Sequence, residues 1–123
     1  VELARRILEP GKCIGFSTHQ LEQVAKADES YADYIAFGPI FSTLSKARPD
    51  PVVGLEGLRA ARRATRKPLV AIGGITLEKA REVIDAGADS VAVIADLLRA
   101  PDIATRAREF LKVVEEKSTE IRG

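Results

Sequence analysis

Lys67–Ile75 reads KPLVAIGGI, and this stretch decides the fold. Leu69, Val70, Ala71 and Ile72 form an apolar run too short for a helix, opened by Pro68 and closed by Gly73-Gly74. Such a run marks a strand apolar on both faces, as parallel strands covered by helices are. Thr76-Leu77-Glu78 follows as a helix start, with Thr76 at the N-cap and an acid in the first turn. Strand, glycine pair and helix N-terminus together form a geometry that binds phosphate. Backbone without Cβ atoms approaches an anion closely, and the N–H groups of the turn point at it. The same parts also make a plain tight connection, so the stretch alone leaves both readings open.

Working outward, strands and helices alternate. Residues 1–9 carry Leu3, Ala4, Ile7 and Leu8 at helical spacing, ended by Pro10-Gly11. Lys12–Ser17 is a short strand and Gln20–Ser30 a helix with Leu21, Val24, Ala25 and Ala27 toward one side. Asp33–Gly38 is a second strand, followed by a long loop over Pro39–Gly54. Leu55–Thr65 is a helix with Leu55, Leu58, Ala61 and Ala64 on one face and Arg59, Arg62, Arg63 and Arg66 around the rest as a solvated face. After the central strand, Leu69–Ile72, comes a helix over Leu77–Ala86 that Gly87 ends, then a fourth strand, Ser90–Ile94. Asp102, behind Pro101, caps a last helix to Lys117 with Ile103, Ala107, Phe110, Leu111 and Val114 inward; Ser118–Gly123 is a polar, frayed tail.

These are βα units at about 12–31, 33–66, 68–87 and 89–117, forming one domain with a parallel sheet. An internal repeat supports the pairing of units. Leu21-Glu22 returns as Leu77-Glu78 and Ala32-Asp33 as Ala88-Asp89, both after 56 residues (77 − 21 and 88 − 32). The recurring Ala-Asp at a strand entry reads as packing and a turn, away from the chemistry. A closed (β/α)₈ barrel needs eight units and about 250 residues, so four units preceded by a helix make half of a TIM barrel. An open flavodoxin-like sheet is the competing architecture.

Composition excludes several function classes. The 123 residues are 46% hydrophobic and 30% charged with a net charge of +1, which gives no electrostatic case for nucleic acid or a membrane surface. No apolar run approaches the roughly 20 residues of a membrane span, and no signal peptide opens the chain. Cys13 stands alone, which rules out an internal disulfide, fits a cytoplasmic setting and reads as a small buried hydrophobe. The absence of methionine and the opening in mid-helix point to a segment of something longer.

The residues able to carry chemistry follow the strands, at the rim where barrels gather their sites. Ser17, Thr18 and His19 follow the first strand, Gly38–Lys46 the second, Gly73-Gly74 the third, and Ala95-Asp96 the fourth. Hydroxyls, one lysine and a glycine turn suit phosphate or pyrophosphate, because O–H and N–H groups donate to its oxygens and an ammonium neutralises its charge. Asp96 is the one obvious carboxylate there, so neither a metal site nor a paired-acid mechanism can be built. His19 is the single histidine and cannot form a triad by itself. As a lone histidine it reads as a satisfied structural residue, and Lys46 by itself as a solvent-exposed loop lysine.

IGFSTH, DYIAFGPIFSTLSK, VGLEGL, AIGGI and GADSVAVI, in this order, resemble the thiamine-phosphate synthase family over Gly11 to about Leu111. GPIF followed by T-x-S-K is the most specific part. The sister thiazole tautomerases share the framework and use a histidine near the position of His19; Pro39-Ile40 favours the synthase. The resemblance implies the C-terminal half of a transferase joining hydroxymethylpyrimidine pyrophosphate to thiazole phosphate. Position by position it makes Ser17 and Lys46 holders of the departing pyrophosphate. Thr43, Ser45 and the N–H of Gly74, with Gly73 beside it, would contact the thiazole phosphate, and Ile94 and Ala95 would close the cup. Ala95 stands where the family commonly has Ser, and Ser42 where it often has Pro. The family's pyrimidine-binding residues and Mg²⁺-binding aspartates fall outside this chain, so the resemblance implies Mg²⁺ for the parent enzyme and none for this segment. It also implies inactivity alone.

A half-barrel would leave one sheet face open to water, with Phe16, Ile35, Phe37 and Val93 among the residues concerned. Self-association as a homodimer, or completion by a missing N-terminal half, is therefore expected. A non-catalytic half-barrel scaffold is the reading from another class, and a tautomerase fragment a third.

Overall fold

Four short strands lie side by side in chain order, all parallel: β1 (Gly15–Thr18), β2 (Tyr34–Phe37), β3 (Leu69–Ile72) and β4 (Ser90–Ala92). The structure, a computed structural model, describes residues 2–9, 11–42 and 51–122, the last six by backbone alone. The helices are α1 (Glu2–Ile7), α2 (Leu21–Asp28), α3 (Gly54–Ala64), α4 (Leu77–Asp85), α5 (Ala95–Leu98) and α6 (Ile103–Arg122). Sequential strand order without a reversal is that of a barrel wall, and the flavodoxin-like alternative, which needs a switch point, does not hold. Among the described residues no helix is long and apolar enough to cross a membrane.

Register and alternation sort the two sheet faces. Phe16 pairs with Ile35, Ile35 with Leu69, Phe37 with Ala71 and Ala71 with Val91, so these side chains share one face. That face meets Val24, Ala27, Leu58, Ala61, Val83 and Ile84 of the helices and is the core. Each fully buried Val, Leu, Ile or Phe side chain there contributes roughly 1.5–3 kcal/mol. The expectation that Phe16, Ile35, Phe37 and Val93 lie open to water is corrected: Ile35 and Phe37 are buried, and Phe16 and Val93 pack against the core. The inner face carries their alternates instead, Gly15 and Ser17, Tyr34 and Ala36, Val70 and Ile72, Ser90 and Ala92. Tyr34 lies across Gly15, where any Cβ would collide with its ring.

Helix faces follow their apolar spacing with some adjustments. Leu58 and Ala61 of α3 are buried as the pattern requires. On α6 the inward stripe is Arg106, Ala107, Phe110, Val113 and Val114, whereas Ile103 and Leu111, expected inside, are 49% and 58% exposed. Spacing of three and four residues from Phe110 selects that stripe against α4. The helix also continues to Arg122 rather than fraying after Lys117, since no Gly or Pro intervenes before residue 123. Cys13 is exposed, because β1 starts at Gly15 and Ile14 is the first buried residue of that segment.

At the strand entries the repeat becomes a pair of matching latches. Asp33 Oδ2 accepts the N–H of Ile14 (2.6 Å) and Nη2 of Arg5 (2.8 Å), while the Asp33 N–H donates to Ile14 O (2.7 Å). Asp89 Oδ2 accepts the N–H of Leu69 (2.9 Å) and Nη1 of Arg62 (2.7 Å), and its own N–H donates to Leu69 O (2.8 Å). Arg5 further donates to Lys12 O and Tyr31 O, and Arg62 to the equivalent Lys67 O and Gly87 O. Arg62 is therefore a structural latch, not part of a solvated face. Lys67 Nζ adds bonds to the carbonyls of Ala27, Ser30 and Ala32 at the end of α2 (3.0, 2.6 and 2.9 Å). This end of the sheet is fixed, and the opposite end carries the loops.

Candidate phosphate-binding rim

The rim is built where β2, β3 and β4 end together. Beyond Phe37 the chain keeps following β3: Ile40 N–H donates to Ile72 O (2.9 Å) and Phe41 N–H to Gly73 O (3.1 Å). The Gly38–Pro39 peptide is cis. The returning segment is tied to the same place, with Val53 N–H on Pro39 O (2.9 Å) and Gly54 N–H on Ile40 O (3.1 Å). The two feet of the long loop are thus pinned beside the glycine turn. Thr43, Ser45 and Lys46 lie outside the described residues.

Gly73 and Gly74 have φ of +96° and +65°, the left-handed region that side chains avoid. A Cβ on Gly73 would stand 2.6 Å from Pro39 Cα, and one on Gly74 2.5 Å from Ser42 O. The glycine pair is therefore required by conformation and by the close approach of the loop.

The helix that follows starts differently from expectation. Thr76 occupies the N-cap of α4, yet its side chain makes no capping bond. Asp96 Oδ2 supplies the acceptor instead, at 2.9 Å from the N–H of Leu77. The same oxygen accepts Nη1 of Arg106 at 2.9 Å. Asp96 is thus committed to structure, and the first N–H of α4 is already satisfied by a carboxylate. Arg106 was not foreseen as part of the rim; its place in the inward stripe of α6, where a charge needs a partner, is the signal that points to it.

The other named residues fall as follows. Ser17, the third residue of β1, is exposed on the inner face; Thr18, which ends the strand, is buried and donates to Ala36 O (2.8 Å). His19 Nδ1 lies 2.8 Å from Gly38 O, and a carbonyl can only accept, so Nδ1 carries the proton. The His19 backbone N–H donates to Gln23 Oε1 (2.7 Å), which fixes the start of α2. Ile94 is the N-cap of α5, a short helix the sequence pattern did not reveal, and Ile94 and Ala95 are both exposed. The ladder between β3 and β4 ends at Ile72 and Ala92, so the glycine turn and Ile94–Ala95 follow the ends of neighbouring strands. Lys79, in the first turn of α4, stands 4.5 Å over the Phe41 ring. Gly73, Gly74, Ile94 and Ala95 are therefore brought to adjacent strand ends, while Ser17 and His19 sit across β2 from them.

A divalent cation does not fit the described residues. No three His, Cys, Asp or Glu side chains converge among them, and Asp96 is held by Arg106 and Leu77. What the rim can offer is backbone N–H and hydroxyl donors to an anion.

A family model for thiamine monophosphate synthase matches residues 1–97. The thiamine-phosphate synthase of Koribacter versatilis is 60% identical over 113 residues, 92% of this chain and 53% of that protein. The thiamine-phosphate synthase of Albidiferax ferrireducens is 49% identical over 117 residues, 93% and 53% of the two chains. Among solved structures, thiamine phosphate pyrophosphorylase from Pyrococcus furiosus superposes with a TM-score of 0.81 at 40% identity, over 94% of this chain and 54% of that one. The chain spans about half the length of the curated relatives it matches.

Proposed function

Because the chain belongs to the thiamine monophosphate synthase family, we propose that it supplies the phosphate-binding side of a transferase site joining hydroxymethylpyrimidine pyrophosphate to thiazole phosphate. The observation that carries this reading is the adjacency of Gly73–Gly74 and Ile94–Ala95 at the ends of β3 and β4. Barrel enzymes commonly hold phosphate after their last two strands.

In the proposed reaction the bond from the pyrimidine methylene carbon to the pyrophosphate oxygen breaks, and its electron pair leaves with pyrophosphate. The resulting cation is captured by the thiazole nitrogen lone pair, which forms the new C–N bond. Gly74 N–H, with Ile94, Ala95, Thr43 and Ser45, holds the thiazole phosphate and so aims the nitrogen. Ser17, across β2 from the glycine turn, holds the leaving pyrophosphate together with Lys46. Catalysis here is positioning and charge stabilisation, with no covalent intermediate on the protein. The setting is a cytosolic biosynthetic one.

The chain holds one side of this site and by itself does not turn over. Either a second copy or the other half of a barrel covers its inner face. Adding the N-terminal half of the Koribacter versatilis relative in trans tests this. Product formation by the mixture and none by the chain alone supports the reading, whereas turnover by the isolated chain, or a mixture that associates yet stays silent, contradicts it.

A further inference from the structure

The ladder between β3 and β4 stops at Ile72 and Ala92, and both proposed arms of the phosphate cup lie beyond it. Past that point the two segments are joined again by a side chain: Asp96, directly after Ala95, accepts the N–H of Leu77, three residues after Gly74. Arg106 holds that carboxylate from α6. On these grounds, and resting on the proposed reading of the cup, we infer that Asp96 and Arg106 are its positioning pair, setting the Gly73–Gly74 arm against the Ile94–Ala95 arm.

Three features distinguish the pair from an ordinary surface bridge. Its side chains are only 17% and 27% exposed for Asp96 and Arg106, so solvent screens it less than an open ion pair. Its acceptor is aimed at the first N–H of α4, so it fixes where the helix begins and hence the end of the glycine turn. Arg106 also neutralises a carboxylate that would otherwise repel a phosphate bound a residue or two away. The guanidinium is in turn held by the packing of α6, whose Phe110 is buried. A shift of α6 is thereby transmitted to both arms at once.

The test titrates the chain and its variants with inorganic phosphate, followed by amide NMR, with each melting temperature measured alongside. Asp96→Ala combined with Arg106→Ala removes the link without changing net charge. Arg106→Gln is the milder break, and Arg106→Lys keeps a charged donor. The double variant and Arg106→Gln are expected to weaken phosphate binding by roughly tenfold, within the range seen for residues that act on a site without touching its ligand. Arg106→Lys should restore most of that affinity. The Leu77 amide resonance should move in step with the affinity, not with the melting temperature. A lower melting temperature with unchanged affinity in the folded variants overturns the inference and leaves the cup intact. Failure of the unsubstituted chain to bind phosphate removes the cup itself, and the inference with it.

Discussion

At Gly74 the chain turns with φ of +65°, and a Cβ there would stand 2.5 Å from Ser42 O and 2.8 Å from Phe41 O. Gly54 has a similar φ of +70° with nothing within 4 Å of its Cβ position. The comparison separates strain from crowding. Gly54→Ala should cost about 1–2 kcal/mol, the ordinary penalty of left-handed backbone. Gly74→Ala should cost clearly more, because the loop foot at Phe41–Ser42 must also move; equal losses in urea unfolding would contradict the crowding argument. The glycine pair was legible in the sequence because its chemistry is local to a dipeptide. The role of Asp96 was not, since its partners Leu77 and Arg106 are 19 and 10 residues away. Thr76 looked like a cap by residue type alone, and tertiary geometry gave the task to Asp96.

Among the elements, the Asp33 latch at the first strand entry and the Asp102 cap of α6 set the dependence on pH. The Ile14 N–H, and after it the Arg5 guanidinium, hold the Asp33 carboxyl below its ordinary value. The Thr105 hydroxyl and the Thr105 N–H do the same for Asp102 at the start of α6. A carboxyl lowered in the folded state contributes stability that is present above its unfolded value of about 3.9 and is lost as the pH falls through the folded one. Stability should therefore decline on acidification below about pH 5. The decline should be shallower in Asp33→Asn; identical acid profiles by urea unfolding would contradict this. The repeat behind these latches was visible as Ala32-Asp33 and Ala88-Asp89, because strand entry constrains residue type, but it read only as packing and a turn. Arg5 and Arg62 were not recognisable as its other half, because exposed and latching arginines share the same helical spacing. The short α5 escaped for a similar reason: four residues give no period to detect.

For the whole molecule, the sequential parallel sheet and its helical cover were legible from alternating βα patterns, whereas the face each side chain takes required register. That face matters now. Val70, Ile72 and Tyr34 line an inner surface only half buried, and β1 and β4 end the sheet without partners among the described residues. Leu3 and Ile7 of α1 are 69% and 71% exposed. Exposed apolar surface and open edges favour association. Light scattering at micromolar concentration should therefore give twice the 13.3 kDa of one chain, and a monomer mass would contradict self-association. The central claim, that this chain carries the thiazole-phosphate side of the site, is tested most directly by titrating the isotope-labelled chain with thiazole phosphate under amide NMR. Shifts at Gly73, Gly74, Ile94 and Ala95 that saturate together with one dissociation constant are expected. Resonances there that stay unmoved up to millimolar ligand would contradict the claim.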